Sequence, residues 1–179
     1  MAPINDKKFR FSDAVYVAET TPKSLRKWLQ NPDMRLFFSG QGTGWREFNF
    51  ADLAVLAVMR KLVDFGLTID TANTFANVII AGHGTSLFSH NTSPDVLVAK
   101  FDGSLALVYL VGKKDWAVRI DPKHKYRPPP AAAYLTLHLH EIMTRVMILA
   151  EEVALDPERI ECGNAHHVLK IDGKDTGRK

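Results

Sequence analysis

The sequence carries a single cysteine, Cys162, in 179 residues. One thiol excludes an internal disulfide framework and any zinc site built from several cysteines, and it suits a reducing cytoplasm. No apolar run reaches the ~18 residues that a membrane span would need. The opening Met-Ala-Pro-Ile-Asn-Asp-Lys-Lys lacks the apolar stretch of a secretory leader, so a cytoplasmic protein is expected. A strong overall charge is lacking as well. The formal net charge of +3 does not by itself point to a polyanionic partner. What the chain does have is apolar material, 46% of its residues, enough to pack a core rather than stay disordered.

The charge is unevenly spread. Between residues 7 and 61 there are ten lysines and arginines against five acids, and the remainder of the chain is close to neutral. A basic N-terminal third beside a neutral remainder fits a polyanion-binding module joined to something else.

Local signals divide the chain further. Phe11 to Ala18 predicts a short helix with Ser12 as its cap. Thr21 followed by Pro22 predicts the start of a second, because proline lacks the N–H that a first helical turn leaves unpaired. Leu25, Trp28 and Leu29 form its apolar stripe, with Lys23, Arg26 and Lys27 off it, and Asn31-Pro32 ends it. Arg35–Phe38 and Trp45–Phe48 are short strand-like runs around a Ser39–Gly44 stretch containing three glycines, the pattern of a loose hairpin tip. A third helix opens at Asn49 or at Ala51-Asp52, repeats Leu53, Leu56, Met59, Arg60 and Val63 at helical spacing, and stops at Gly66. Thr68 caps a fourth that runs to about Ala81.

The second half reads differently. Val96–Ala99, Leu105–Val111 and Trp116–Ile120 are β-like, with Asp102-Gly103 and Lys113–Asp115 as turns, which predicts a three-stranded antiparallel meander. Tyr126–Pro130 predicts a stiff linker. A long helix from about Ala131 to Ala154 follows. In it Leu135, Leu139, Ile142, Val146, Leu149 and Val153 are spaced 4, 3, 4, 3, 4, a heptad seam that fits either a dimer interface or packing on the chain's own meander. The expected fold is α+β: a winged helix-turn-helix, a small antiparallel β-meander and a long C-terminal helix. Its segments are 1–81, 82–125, 126–162 and a polar, frayed tail over 163–179.

The order of the N-terminal pieces resembles the MerR-type regulators. That family shares a helix-turn-helix ending in a Thr/Ser-Leu-Arg-aromatic run, a Gly-Tyr-Arg wing, and a helix opening near Asp-Leu and closing at Leu-x-x-x-Gly. The counterparts are Ser24-Leu25-Arg26-Lys27-Trp28, Thr43-Gly44-Trp45-Arg46-Glu47-Phe48, Asp52-Leu53 and Leu62-Val63-Asp64-Phe65-Gly66, followed by Leu67-Thr68-Ile69. The match covers roughly a third of the chain. It implies that Arg46 and the aromatic residue before it touch DNA.

The physics of a reading head points the same way. A major groove ~12 Å wide admits one helix, whose exposed polar residues reach bases and phosphates. Thr21, Lys23, Ser24 and Lys27 lie on the candidate exposed face, and Arg26 suits either a phosphate or a base. Gly44 lets the wing backbone approach DNA while Arg46 meets a phosphate or the minor groove. Trp45 fits either the sugar-phosphate backbone or the helical core, and Phe48 belongs to the core.

Two departures from the family qualify the rest. A lone Cys162 argues against metal sensing through paired thiolates, and the segment containing the meander separates the head from the seam-bearing helix, which in the family follows almost directly. The histidines suggest no metal or catalytic site: His138 and His140, two apart on the expected helix, point ~200° from each other. His83 in Gly82–Ser86 reads as a loop residue, and His166-His167 falls in the tail. No enzyme, metal or cofactor is expected. The reading is a homodimeric DNA-binding transcription regulator, whose small-molecule effector, if any, the sequence does not name. The alternatives are an excisionase-like or phage-associated architectural DNA binder, and a protein-interaction adaptor.

Overall fold

Short-range capping chemistry sets the first four helices. The computed structural model describes residues 8–37, 47–82, 94–111, 115–121, 127–129, 131 and 133–155. Helix α1 spans Phe11–Val17. Its first turn is closed by Asp13, whose carboxylate accepts from the Arg10 N–H at 2.6 Å. Ser12, expected as the cap, lies inside that turn and donates to Asp13 instead. Helix α2, Pro22–Leu29, starts as the sequence predicts, with the Thr21 hydroxyl accepting from the Ser24 N–H at 3.1 Å.

Helix α3 spans Phe50–Asp64 and opens on a reciprocal pair: Asn49 Oδ1 accepts from the Asp52 N–H at 2.9 Å, and Asp52 accepts from the Asn49 N–H at 3.2 Å. It closes on Gly66 at φ +104°. The Gly66 N–H reaches the Val63 carbonyl and the Leu67 N–H the Leu62 carbonyl, a helix stop that needs a residue free to turn left-handed. Helix α4, Ile69–Ala81, is capped by Thr68 as expected.

The second half departs from the expectation in three places. Val96–Ala99 is part of helix α5, Pro94–Lys100, not a strand. A short apolar run suits either form, and here it forms a helix that buries Leu97 completely. Asp102-Gly103 accordingly joins α5 to the sheet rather than two strands to each other, with Gly103 at φ +66°. The sheet still has three strands: β1 Leu105–Val111, β2 Asp115–Asp121 and β3 Tyr134–His138, in the order β2-β1-β3 and antiparallel throughout. The third strand thus comes from the segment expected to begin the last helix. That helix, α6, starts only at Leu139 and runs to Leu155.

Registration sorts the sheet into two faces. Ala106, Val108 and Leu137 point into the core, with Trp116, Val118, Ile120 and Leu135 packed against it. On the other face Arg119 makes a two-pronged contact with Asp121, at 2.8 and 2.9 Å. The Arg127 N–H donates to the same carboxylate, and Arg119 also donates to the Arg127 carbonyl.

One hydrophobic core runs from Phe9 to Val153, joining the N-terminal helices to α6. This changes the reading of the heptad seam. Leu135 lies in β3, opposite Val108. Leu139, Val146, Leu149 and Val153 are at most 5% exposed within their own chain, and Ile142 packs against the same core. Side chains already removed from water offer a partner no further apolar burial, so the seam is intramolecular packing and not an available dimer face. His138 and His140 are likewise separated by the strand-to-helix junction rather than sharing a helix.

Leu149→Ala is expected to destabilise the chain by ~2–5 kcal/mol, the usual result of emptying a buried leucine site. Chemical denaturation at two protein concentrations checks it: the loss should not depend on concentration. Asp121 gives a pH prediction. The Arg119 guanidinium, donating to the carboxylate, holds the Asp121 pKa below its ordinary value of 3.8. The stabilisation is therefore present above that value and lost as pH falls through the lowered one. Asp121→Asn should lower the melting temperature at neutral pH, and the difference from the natural chain should close on acidification.

Candidate nucleic-acid interface

Helix α2 divides cleanly into a buried and an exposed side. Leu25 and Trp28 are buried and Leu29 half-buried, which fixes the helix on the core. Thr21, Lys23, Arg26 and Lys27 are exposed and Ser24 half-exposed, as the stripe in the sequence predicts. These side chains differ in freedom. Thr21 is engaged as the cap, accepting from the Ser24 backbone and donating to the Ser24 hydroxyl at 2.9 Å. The Arg26 guanidinium sits 5.4 Å from the centre of the Phe11 ring, a cation–π contact that splints it while leaving its N–H groups able to bond. Lys23 and Lys27 are one helical turn apart, and among the described residues no carboxylate lies within ion-pair distance of either.

The chain that leaves α2 is held by one face of α4. Asp70 accepts from the Asn31 side-chain amide. Three residues further on, Asn73 grips the Arg35 backbone from both sides, its Oδ1 accepting from the Arg35 N–H and its Nδ2 donating to the Arg35 carbonyl, both at 2.9 Å. Asn77 donates to the same carbonyl at 3.1 Å. Residues 70, 73 and 77 follow the spacing of a single helix face. Asn73 is 3% exposed, so its amide does for Arg35 what a neighbouring strand would do. Sequence reasoning missed this rail; its signal is the helical spacing of Asp70, Asn73 and Asn77 along α4.

The far end of the intervening segment is pinned separately. Phe48 and Phe9 exchange both backbone hydrogen bonds, at 2.8 and 2.9 Å, and both rings are buried. Phe48 is thus a core residue, as expected, but its backbone partner is Phe9 and not a strand at Arg35–Phe38. Arg35–Phe37 forms no strand. Glu47 meets Lys8 at 2.8 Å, and its hydrogen bond raises the lysine's pKa, keeping the ammonium charged. Residues 38–46, which include Gly44, Trp45 and Arg46, lie outside the described residues, so the expected DNA contacts of Trp45 and Arg46 are neither placed nor displaced.

Among the described residues no group of three or more metal-ligating side chains gathers, and no helix is long and apolar enough to cross a membrane. The arrangement is a short capped helix, anchored through Leu25 and Trp28, that presents three cations outward beside a buttressed loop. That is a geometry for meeting a polyanion.

No curated protein matches the chain. Residues 9–77 match the family model described as MerR HTH family regulatory protein. The match begins at Phe9, the residue that bridges to Phe48, and ends at Asn77, the last residue of the rail on α4. Over residues 9–77 the chain is therefore similar to the helix-turn-helix domain of MerR-type regulatory proteins.

Proposed function

We propose that the chain is a sequence-specific transcription regulator of the cytoplasm that lays α2 in the major groove and sets the segment bearing Trp45 and Arg46 beside it. The observation carrying this is the outward face of α2, where Lys23 and Lys27 have no acidic partner among the described residues and Arg26 is braced over Phe11. In this reading Lys23, Lys27 and Arg46 neutralise phosphates, while Arg26 and Ser24 approach the base edges. Binding, not catalysis, is the proposed role.

The protein acts as a homodimer in this reading, because a single small head makes too few contacts for tight specific binding and paired half-sites supply the rest. The interface is not the α6 seam, whose side chains are in the chain's own core. The sheet and α6 form the part through which a signal, such as a small-molecule effector, would reach the head.

Binding to duplexes selected from random-sequence DNA tests the assignment. Lys23→Ala and Arg46→Ala should each weaken binding and reduce the slope of log K against log salt by about one, as for one lost phosphate contact. Wild-type affinity and slope in both variants would remove these residues from the interface. Asn73→Ala should cost ~1–3 kcal/mol, because it strips the Arg35 backbone of two partners. It should also weaken DNA binding with the salt slope kept, since the loop base loosens but no cation is lost.

A further inference from the structure

The turn between α1 and α2 contains the one non-glycine residue with positive φ among the described residues: Glu19, at +50°. It occupies the left-handed position that ends a helix. Its N–H reaches the Tyr16 carbonyl and the next N–H, of Thr20, reaches Val15, both at 3.0 Å. Glycine takes this position without steric penalty, and a glutamate does not. A strained residue at a functional turn invites the question of what its side chain is held for.

The Glu19 side chain answers to the other end of the sequence. Arg145, on α6, donates to Glu19 Oε1 through Nε at 3.0 Å and through its terminal nitrogen at 2.9 Å. Lys61 of α3 stands 3.8 Å from the other oxygen, and Arg60 donates to the Glu19 carbonyl at 3.4 Å. One turn earlier, Tyr16 donates to Glu152 of α6 at 2.8 Å. Arg145 and Glu152 are seven apart, on one face of α6, and both engage the end of α1 where the chain turns into α2. These side chains are substantially exposed, so the pairs contribute little to global stability. Their placement is what matters.

α6 also follows β3 without a connecting loop. His138 ends the strand, Leu139 begins the helix, and the Leu139 N–H is tied to the Ser104 carbonyl at 3.2 Å. A displacement of the sheet therefore carries α6 with it.

We infer that Arg145 is a positioning residue for α2: by gripping Glu19 it sets the angle at which the helix-turn-helix turn delivers α2, and it couples the sheet-and-α6 half to DNA affinity. This rests on the reading of α2 as the DNA-contacting helix. Lys23 and Arg46 act on phosphates directly; Arg145 acts through Glu19 and touches no DNA.

The full chain and the duplex it selects from random-sequence DNA provide the test, with Glu19→Gly, Arg145→Gln and Arg145→Lys compared by melting temperature, affinity and salt slope. Glu19→Gly should melt at or above the natural chain, because glycine relieves the left-handed position, yet bind the duplex about two- to five-fold more weakly. Arg145→Gln should show the same weakening with an unchanged salt slope, and Arg145→Lys should recover part of it. The double variant Glu19→Gly with Arg145→Gln should bind no more weakly than either single one, as for two partners in one contact. Natural affinity in both Glu19→Gly and Arg145→Gln would overturn the inference while leaving DNA binding by α2 intact. A salt slope reduced by about one in Arg145→Gln would also overturn it, by making Arg145 a phosphate contact. If the natural chain selects no duplex, the DNA-binding reading falls first and the positioning role with it.

Discussion

Helix α3 has no solvent-facing side through its first ten residues, Phe50 to Met59, and the rest of the fold is arranged to cover it. A helix apolar on one stripe needs one neighbour; a helix buried all round needs several. α1, α4 and α6 all pack on α3. Each fully buried leucine, valine or phenylalanine contributes roughly 1.5–3 kcal/mol relative to exposure, so this one helix outweighs any cap or ion pair in the molecule. Its only buried charge is Asp52, 0% exposed, which is tolerable because it closes the helix's own first turn with Asn49.

From that constraint follows the merging of the two halves. Helices α1 and α4 share the surface of α3 with α6, which reaches it from more than eighty residues downstream of α3's start. The heptad-like spacing of α6 is the signature of that duty. An apolar stripe at 4, 3, 4 spacing states only that something apolar faces the helix; it does not say whether the surface belongs to a second chain or to the same one. Here Met143, Met147 and Ala150 are buried beside the seam residues, widening the stripe beyond what a two-stranded coiled coil needs. The head is consequently not an appendage on a linker but part of a single packed body.

Legibility in the sequence follows the range of the interactions involved. Helices α2, α3 and α4 are readable because their ends are decided locally, by Thr21-Pro22, Asn49 with Asp52, Gly66 and Thr68. The exposed side of α2 was readable for the same reason, from the periodicity of Leu25, Trp28 and Leu29. The sheet was legible in its size and sense but not in its third member. Val96–Ala99 carries no periodicity that separates strand from helix, and Tyr134–His138 alternates with period two while also fitting the helical spacing from Leu135 to Leu139. Pairing with β1, a long-range event, decides between those readings. The rail of Asp70, Asn73 and Asn77 and the grip of Arg145 on Glu19 are likewise invisible locally, since each joins residues at least 38 apart.

In the proposed reading, the same difference in range separates the residues that meet DNA from the contacts that aim them. The cations on α2 need only exposure, and a capped eight-residue helix anchored by Leu25 and Trp28 guarantees it. Aim is another matter, because a helix this short is marginal alone and takes its direction from whatever holds its two ends. One end is held through Asn31 by Asp70 of α4, the other through the Glu19 turn by α3 and α6. Neither hold is a large burial term; both are exposed polar contacts made from helices that pack into the core. A regulator of the kind proposed, with affinity as its output, would need such an element: weak enough to be moved by a signal, and attached to something stiff enough to move it.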